Sequence, residues 1–538
     1  MRHSRKSIVR GVLVMLAVAG GFPAPAQDAG PSAIPVEEDD ALLFSATENV
    51  TVNVRVANPT PVSLGLEVAV RDFKDESIGK REVKPLWEQG ERALGYGANR
   101  YFRVLKTLPE KTYAKTRRIV APGTDETVTM RLGKLPLGFH MLDMTFLRGG
   151  KPVANSKFPL AVARNIEPQE YRPPVIPIVA YTRMMQYKGS QRLAGITLEP
   201  IFWKTYLHYI ACDLREHGIN ALMSCGGFQK GELAIYRRYG ISGVGRSWKE
   251  GRQKGVIAVL IGDEPKHRQL AEYRAKLDEA RAKTGKPVST ALVGERLGTR
   301  YGRDPVSIWN ALEPDIRILR WYGIKKNYNE PAFPLHYKAL LPFVDLLRID
   351  DACSETPWWI TLPTFGKTGR NAYFENPTPA QVKCVMHLSM AHGADGLLLF
   401  QYQAFEKEYG LVDAATLKHQ DGKMKAVGTV TPLIAANAEL LKSLEHGGLD
   451  VRCRNALVEV VPRRVGDRLF AYVVNLDTKR ETSARLLVWA DSWDMGRVRS
   501  VYDGKSLRIE RDAEGYYSIP ITLAPGSGML LATDARRK

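Results

Sequence analysis

The chain has 538 residues, of which 44% are hydrophobic, 9% aromatic and 25% charged. This composition is that of a folded globular protein, and it excludes disordered, collagen-like and coiled-coil classes. The length corresponds to about three domains of ordinary size, and the formal net charge of +19 is the unusual feature.

The first 26 residues have the pattern of a cleavable secretory signal. Four basic residues precede the apolar run Gly11 to Phe22, and the small-x-small triplet Ala24-Pro25-Ala26 follows it. The run is too short to span a bilayer, and no later stretch approaches the roughly 18 apolar residues of a transmembrane helix. We therefore predict a signal peptide over 1–26, a secreted or periplasmic protein and no transmembrane segment. Without the signal, 73 basic residues face 58 acidic ones, a net charge of +15.

The five cysteines are scattered, odd in number and without C-x-x-C spacing. This pattern disfavours a disulfide scaffold or a zinc site and favours buried free thiols, although export allows one or two disulfides. Dinucleotide and P-loop glycine motifs are absent as well. We expect no cofactor and no metal.

The segment 40–168 alternates apolar and polar residues in short runs separated by Gly, Pro and Asn. Val50 to Val56 and Val62 to Val70 have this period of two, which predicts an N-terminal β-sandwich. A basic stretch from Arg71 to Arg118 carries 13 Lys and Arg against 7 Asp and Glu. It is either a solvated loop or an interaction arm.

From 172 to 446 the rhythm changes to eight short apolar runs alternating with helical patterns or other connections. The fifth run is Val288 to Val293, and the eighth is Gly396 to Tyr402. Nearly continuous Ile, Val and Leu are typical of buried parallel strands. Eight such units in this length predict a (β/α)8 TIM barrel rather than a doubly wound sheet. The tail from 450 to 535 alternates again and predicts a C-terminal β-sandwich. The predicted fold is therefore α/β, with a barrel between two β-sandwich domains.

Active sites of (β/α)8 barrels lie at the carboxyl ends of the strands. The fourth strand ends in Gly262, Asp263, Glu264 and Pro265. Two adjacent carboxylates repel one another, which raises the pKa of one of them, as general acid catalysis requires. The competing interpretation is a helix N-cap, a common role for acidic residues before a helix. The position at the end of the fourth strand favours Asp263 and Glu264 as catalytic residues.

The other predicted strand ends carry side chains suited to sugars. Aromatic faces stack on pyranose C–H surfaces, and Arg or Gln side chains bind hydroxyl or anionic groups. The predicted substrate-binding residues are Tyr181, Arg183, Trp321, Tyr322, Gln401 and Tyr402. For each aromatic residue alone, core packing is the competing interpretation. The seventh strand ends without an acid, so a second catalytic carboxylate is missing from that position.

The segment from about 257 to 445 resembles secreted glycoside hydrolase-like barrels with a Gly-Asp-Glu-Pro motif on the fourth strand. The stretches 357–366, 377–379 and 392–397 are similar to the same group. Among these enzymes, the chain most resembles β-N-acetylgalactosaminidases with an Asp-Glu-Pro motif. The resemblance implies that Glu264 is the acid/base and that Asp263 orients the substrate's own 2-acetamido group. The end of the predicted sixth strand, 320–323, departs from many relatives of that group.

The sequence thus predicts an exported glycoside hydrolase acting on a complex glycan, either anionic or containing 2-acetamido sugars. Three alternatives stay open: a two-carboxylate glycosidase, a non-catalytic carbohydrate-binding surface protein and, least favoured, a lyase. The basic N-terminal domain predicts attraction to acidic glycan or to the cell envelope. Because the charge is dispersed and no nucleic-acid motif appears, we expect no nucleic-acid partner.

Overall fold

The computed structural model of the protein describes residues 30–36, 41–73, 111–182, 192–193, 196–197, 200–224, 227–263, 265, 267–293, 305–322, 324, 344, 347–348, 356–367, 375–403, 408–413 and 416–538. Several predicted features lie outside these residues. They are the signal peptide, most of the basic stretch, Arg183 and Glu264. Of Asp263, the backbone is described.

The described part of the N-terminal β-region, residues 30–36, 41–73 and 111–163, forms eight strands in two sheets. The strands are β1 Ser32–Pro35, β2 Leu43–Ser45, β3 Val50–Asn58, β4 Leu64–Asp72, β5 Thr112–Val120, β6 Thr124–Gly133, β7 Gly138–Arg148 and β8 Lys151–Ala163. Their orders are β1-β3-β6 and β2-β8-β7-β4-β5. The pairs are antiparallel except β2 with β8, which is parallel.

The period-two pattern of this region sets which side chains are buried. In β3, every second residue from Val50 to Val56 is buried and those between are exposed. The buried residues of β3 and β6 share one apolar cluster with those of β4 and β7, which belong to the other sheet. The apolar faces of the two sheets therefore share one core.

In the middle region, the residues that the structure describes form twelve strands, eight of which close a barrel. The strands are β9 Ile178–Thr182, β10 Arg192–Leu193, β11 Ile196–Thr197, β12 Ala221–Ser224, β13 Ser242–Gly245, β14 Val256–Asp263, β15 Val288–Val293, β16 Ile316–Arg320, β17 Trp358–Pro363, β18 Gly366–Lys367, β19 Gly396–Phe400 and β20 Glu408–Tyr409. The barrel order is β12-β13-β14-β15-β16-β17-β19-β9, and every neighbouring pair is parallel. The predicted α/β class and the eight-stranded parallel barrel are confirmed.

Among the described residues, eight α-helices accompany these strands. They are α1 Pro200–Glu216, α2 Glu232–Arg238, α3 Trp248–Gly251, α4 Leu270–Thr284, α5 Pro305–Leu312, α6 Pro379–Ala391, α7 Lys423–Ala436 and α8 Ala438–Ser443. A short 3-10 helix, His267–Gln269, precedes α4. The start of α6 is fixed by a capping box in which Thr378 and Gln381 each accept a backbone hydrogen bond from the other, so two otherwise unpaired N–H groups are satisfied.

Continuous apolar strands have both of their faces buried. Trp359 lies in the cluster that fills the barrel interior, while Trp358 lies in the layer between the strands and the helices. Gly396 makes the inward position of Trp359 possible, because a Cβ on Gly396 would lie 2.7 Å from Cδ1 of the indole. The base of the barrel is therefore filled by a tryptophan from β17 that passes over a glycine of β19.

The C-terminal β-region, residues 445–538, is formed by twelve strands. They are β21 Glu445–His446, β22 Val451–Cys453, β23 Val458–Val465, β24 Arg468–Asn475, β25 Thr482–Trp489, β26 Trp493–Asp494, β27 Val498–Ser500, β28 Ser506–Leu507, β29 Glu510–Arg511, β30 Tyr516–Leu523, β31 Gly528–Thr533 and β32 Arg536–Arg537. The two larger sheets have the orders β21-β23-β24-β31-β27-β28 and β22-β25-β30-β29. They share an apolar cluster of their own.

Buried contacts join both β-regions to the barrel helices. Phe139 packs edge-on against Tyr206 of α1, with ring centroids 6.2 Å apart. On the other side, Nδ1 of His387 on α6 lies 3.0 Å from the Tyr472 hydroxyl on β24. No helix within the described ranges is long and apolar enough to cross a membrane. The three cysteines that the structure describes, Cys212, Cys384 and Cys453, are free thiols.

Candidate active site

The strand β14 ends at the predicted catalytic motif, and its pairing with β15 is irregular in its last residues. The register with β15 shifts between Leu260 and Asp263, so that Asp263 pairs with Ala291. Gly262 lies inside this shift with a φ of +70°, a conformation that favours glycine. A Cβ on Gly262 would also lie 2.5 Å from Cε1 of Tyr273 on α4. Glycine is therefore required at this position for two independent steric reasons.

The helix that follows β14 decides between the two interpretations of the acidic pair. The N-cap of α4 is Gln269, and the preceding 3-10 helix begins at His267. An N-cap residue lies directly before the first helical residue. At least two residues separate Asp263 and Glu264 from the start of either helix. A capping role therefore does not explain these two carboxylates.

Four aromatic side chains meet at the carboxyl ends of four barrel strands. This mouth cluster consists of Tyr181 from β9, Tyr322 after β16, Phe365 after β17, and Phe400 from β19. The Phe400 ring lies 4.8 Å from Tyr181, 5.3 Å from Tyr322 and 5.1 Å from Phe365, measured between centroids. Tyr322 and Phe365 are 5.2 Å apart. The structure thus brings together Tyr181 and Tyr322, two of the predicted substrate-binding residues, around a phenylalanine.

Two arginines lie at the same end of the barrel. Nη1 of Arg246, which follows β13, donates a hydrogen bond of 2.9 Å to the Tyr181 hydroxyl. The backbone N–H of Arg246 donates to Glu250 on α3 at 3.0 Å. Arg320, only 6% exposed, continues the inward-facing row of Ile316 and Ile318 on β16. The mouth therefore combines aromatic faces with fixed positive charge.

Gln401 is fully buried just beyond the end of β19, and the peptide bond that joins it to Phe400 is cis. Its carbonyl oxygen accepts hydrogen bonds from the Thr364 hydroxyl at 3.2 Å and from the Leu411 N–H at 3.1 Å. These contacts link the ends of β17 and β19 to the segment around Leu411. The structure thus gives Gln401 a main-chain role in holding the strand ends together.

Two further predicted binding residues are not brought to the mouth cluster. Tyr402 is fully buried, and its hydroxyl donates a hydrogen bond of 2.5 Å to Oδ2 of Asp213 on α1. Trp321, 3% exposed, belongs to the same apolar layer between strands and helices. The regular alternation that would turn Tyr402 inward stops with β19 at Phe400. Both aromatic side chains therefore pack the outside of the barrel.

Lys423 at the start of α7 fixes the chain beyond β17. Its Nζ donates to the Thr364 carbonyl at 3.1 Å and to Oδ1 of Asn376 at 2.7 Å. Burial lowers the pKa of Lys423 to about 8, against a smaller opposing effect of Asp421. This amine therefore holds the end of β17 in place.

Sequence reasoning missed four residues that the structure brings to the mouth: Arg246, Arg320, Phe365 and Phe400. Three of them had a signal in the sequence, since Arg246 and Phe365 follow predicted strands and Arg320 continues the alternation of Ile316 and Ile318. Phe400 falls inside the predicted eighth strand, and its inward orientation depends on where that strand ends.

Among the described residues, one group of His and Asp side chains has the spacing of a metal site. It consists of Asp213, His217 and His419, and it shares no residue with the mouth cluster. The described residues of the mouth supply aromatic, guanidinium, hydroxyl and amide groups, which suit sugar binding rather than metal coordination.

No family model matches the chain, and no curated protein sequence matches it. Among solved structures, it is similar to a family 39 glycoside hydrolase from Bacteroides cellulosilyticus, with 12% identity and a TM-score of 0.39, over 94% of this chain and 100% of that chain. It is also similar to a cycloisomaltooligosaccharide glucanotransferase from Paenibacillus sp., with 9% identity and a TM-score of 0.42, over 93% and 99% of the two chains. A β-glucuronidase from Parabacteroides merdae has 9% identity and a TM-score of 0.30, over 94% and 76%. These likenesses are distant, so the proposed function rests on the residues at the barrel mouth.

Proposed function

We propose that this protein is an exported glycoside hydrolase that acts on a complex glycan, either anionic or containing 2-acetamido sugars. The observation that carries the proposal is the position of the Gly-Asp-Glu-Pro motif. In a closed eight-stranded parallel barrel, Asp263 is the last residue of β14, and strand ends on that face are where such barrels hold their catalytic groups.

In the proposed mechanism, Glu264 is the general acid and base, and Asp263 is the orienting carboxylate. Glu264 gives its proton to the glycosidic oxygen as the bond between that oxygen and C1 breaks. The carbonyl oxygen of the substrate's 2-acetamido group attacks C1 and forms an oxazolinium ion, which Asp263 stabilises through the amide N–H. Water then attacks C1, Glu264 accepts its proton, and the sugar leaves with its configuration retained.

The end of β17 supports a mechanism without a protein nucleophile. Residues 361–366 contain no acid, and the Thr364 carbonyl there is bound by Lys423. Since a retaining glycosidase that uses two carboxylates needs its nucleophile about 5–5.5 Å from the acid, the missing acid favours the substrate's own acetamido group.

The mouth cluster supports binding of a sugar ring. Tyr181 and Tyr322 pair an apolar face with a polar tip, and Phe365 and Phe400 extend the apolar wall. Arg246 and Arg320 place positive charge beside these faces, which suits a carboxylate or sulfate substituent on the glycan. Arg183 and Gln401 are proposed to add hydrogen bonds to hydroxyl groups.

Attraction of acidic glycan or cell envelope by the basic stretch is also a proposal. On β5, Lys115 and Arg117 both pair with Glu67, and Arg118 pairs with Glu126. These pairs neutralise part of the positive charge that the structure describes. The proposal therefore depends on the basic residues between 74 and 110, which lie outside the described residues.

The mechanism is tested with matched aryl glycosides that carry either a 2-acetamido or a 2-hydroxyl group. We expect turnover of the acetamido substrates, a loss of about 100-fold or more in kcat for Asp263→Asn, and full activity for the exposed control Asp491→Asn. If the 2-hydroxyl substrates were turned over as fast as the 2-acetamido substrates, the result would contradict this mechanism and indicate one with two protein carboxylates. Tight glycan binding without hydrolysis, unchanged in Asp263→Asn, would favour a non-catalytic binding protein.

A further inference from the structure

A crevice of about 420 Å³ lies between the N-terminal β-region and the barrel, apart from the mouth cluster. One wall comes from the ends of β7 and β8, including His140 and Arg164, and the other comes from α1 and the segment 417–419. On this second wall, Asp213, His217 and His419 form what we call the crevice cluster. The proposed glycosidase mechanism uses none of these three side chains.

The crevice cluster has ligand atoms at distances that suit one metal ion. One nitrogen of each imidazole and one carboxylate oxygen all lie within 4.8 Å of one another. Oδ1 of Asp213 lies 2.7 Å from Nε2 of His419 and 3.5 Å from Nδ1 of His217. Two ligands of a tetrahedral zinc ion, each ~2.0–2.2 Å from the metal, are ~3.3 Å apart. These two distances lie on either side of that value, and the two histidine nitrogens are within 4.8 Å of each other, so adjustment of the side chains would complete the geometry.

Local structure explains why the side chains of Asp213 and His217 lie next to each other. Asp213 and His217 are four residues apart at the end of α1, a spacing that places both side chains on one helix face. His419 reaches them from the segment before α7, and its ring lies edge-on to His217 at 4.9 Å between centroids. The same helical spacing holds two ligands in known helix-borne zinc sites.

Two of the three proposed ligand residues are held by a further partner. The Tyr402 hydroxyl donates to Oδ2 of Asp213, which leaves Oδ1 directed at the two histidines. The Thr431 hydroxyl donates to the His217 carbonyl at 2.6 Å, which holds the main chain at this histidine. Such outer contacts orient metal ligands and are a regular part of metal sites.

Charge and exposure around the cluster also suit a cation. The Asp213 carboxylate is 6% exposed, and a buried carboxylate needs a compensating charge. Two cations that line the crevice pair with other acids, Lys418 with Asp72 and Arg164 with Glu216. His419 is 38% exposed, which gives an ion a path from solvent and leaves room for a water ligand.

We propose that Asp213, His217 and His419 bind a divalent transition-metal ion, with Zn²⁺ as the reference ion. Two imidazoles and one carboxylate select such ions over Mg²⁺ and Ca²⁺, which prefer oxygen ligands. The ion would join α1 to the segment that leads from Tyr402 to α7. The site is independent of the proposed hydrolysis, because it shares no residue with the mouth cluster or the acidic pair.

The test uses the untagged chain, stripped with a chelator, and measures Zn²⁺ binding by equilibrium dialysis and calorimetry. We expect one equivalent of Zn²⁺, binding at least tenfold weaker in His217→Gln and His419→Gln, and unchanged binding in His446→Gln, an exposed histidine on β21. Tyr402→Phe should weaken binding by about 10- to 100-fold while leaving all three ligands in place. Circular dichroism of each variant separates a lost site from a lost fold.

Two results would overturn the proposal. The first is the absence of stoichiometric Zn²⁺ binding by the folded wild-type chain. The second is equal binding by His217→Gln, His419→Gln and His446→Gln. A melting temperature that rises with Zn²⁺ in the wild type but not in His217→Gln would support the site without any measurement of activity.

Discussion

Nη1 of Arg246 donates a hydrogen bond of 2.9 Å to the hydroxyl of Tyr181, and so links the ends of β13 and β9 across the intervening strand β12. The same tyrosine ring packs against Phe400 from the strand on its other side. This one side chain therefore connects the charged and the aromatic parts of the barrel mouth.

Removing the Arg246 guanidinium should weaken glycan binding. In Arg246→Met, the Tyr181 ring loses the partner that orients its hydroxyl, and a hydrogen bond to a charged group contributes ~1.5–3 kcal/mol. We expect KM for the preferred glycan to rise by about tenfold with a smaller change in kcat. Steady-state kinetics measures both, and Arg172→Met, whose side chain is 80% exposed, is the control. An unchanged KM would exclude this pair from the binding site.

The backbone of Gly262 gives a prediction about stability. Gly262→Ala adds a Cβ in the left-handed region and 2.5 Å from Tyr273 Cε1, so we expect a loss of about 2–4 kcal/mol in the free energy of unfolding. Gly504→Ala is the matched control, because Gly504 has nearly the same φ, +71°, with no atom within 4 Å of the added Cβ. It should cost only ~1 kcal/mol. Urea unfolding measures both values.

A second variant separates backbone strain from the steric clash. Tyr273→Ala in the Gly262→Ala background removes the ring that the new Cβ would meet. We expect it to recover part of the lost stability, since only the clash is relieved. Strict additivity of the two substitutions would show that the ring does not constrain this position.

His387 should make the protein sensitive to acid. Burial, and more weakly the charge of Lys383, lower its pKa to about 3 from the ordinary 6.5. Below pH 6.5 the unfolded chain binds a proton that the folded protein excludes. The free energy of unfolding therefore decreases as the pH is lowered from 6.5 to about 3. The slope from this group reaches ~1.4 kcal/mol per pH unit. Urea unfolding of His387→Gln should lack this component, whereas His446→Gln should keep it.

Lys423 should act in the alkaline range, with a pH slope of the same sign as that of His387. Its pKa is about 8 in the folded protein and 10.5 as the ordinary value. Between these two values the folded protein has released a proton that the unfolded chain still binds, so the free energy of unfolding rises with pH. Compared with that of Lys423→Met, the free energy of unfolding of the wild type should increase by up to ~1.4 kcal/mol for each unit that the pH rises in this range. A parallel pH dependence of the two proteins would contradict the lowered pKa.

The barrel could be predicted because each of its strands is a nearly continuous apolar run in the sequence. The fifth strand, Val288–Val293, has the predicted bounds, and the others agree within a few residues. The two faces of Trp358 and Trp359 also follow from position, since residues at the start of a strand fill either the barrel or the layer around it. Local pattern is sufficient where burial on both faces selects the same residue types.

The site was harder to predict from the sequence, because tertiary contacts determine where the strands end. The eighth strand stops at Phe400, two residues before its predicted end, and Tyr402 then turns toward Asp213. Its partner Asp213 is 189 positions away in the chain, and His419 is 206 positions from that same carboxylate. No local period reports contacts of this length, so the crevice cluster is visible only in three dimensions.

The most direct test of the proposed function is the release of reducing ends from a panel of uronic, sulfated and 2-acetamido glycans. The wild type should hydrolyse at least one glycan, Glu264→Gln should lose ~100-fold or more of that rate, and Glu272→Gln, exposed on α4, should keep it. Equal melting temperatures of the three proteins would show that the loss is chemical. Hydrolysis by Glu264→Gln at the wild-type rate, or glycan binding by the wild type with no hydrolysis across the panel, would contradict the proposal.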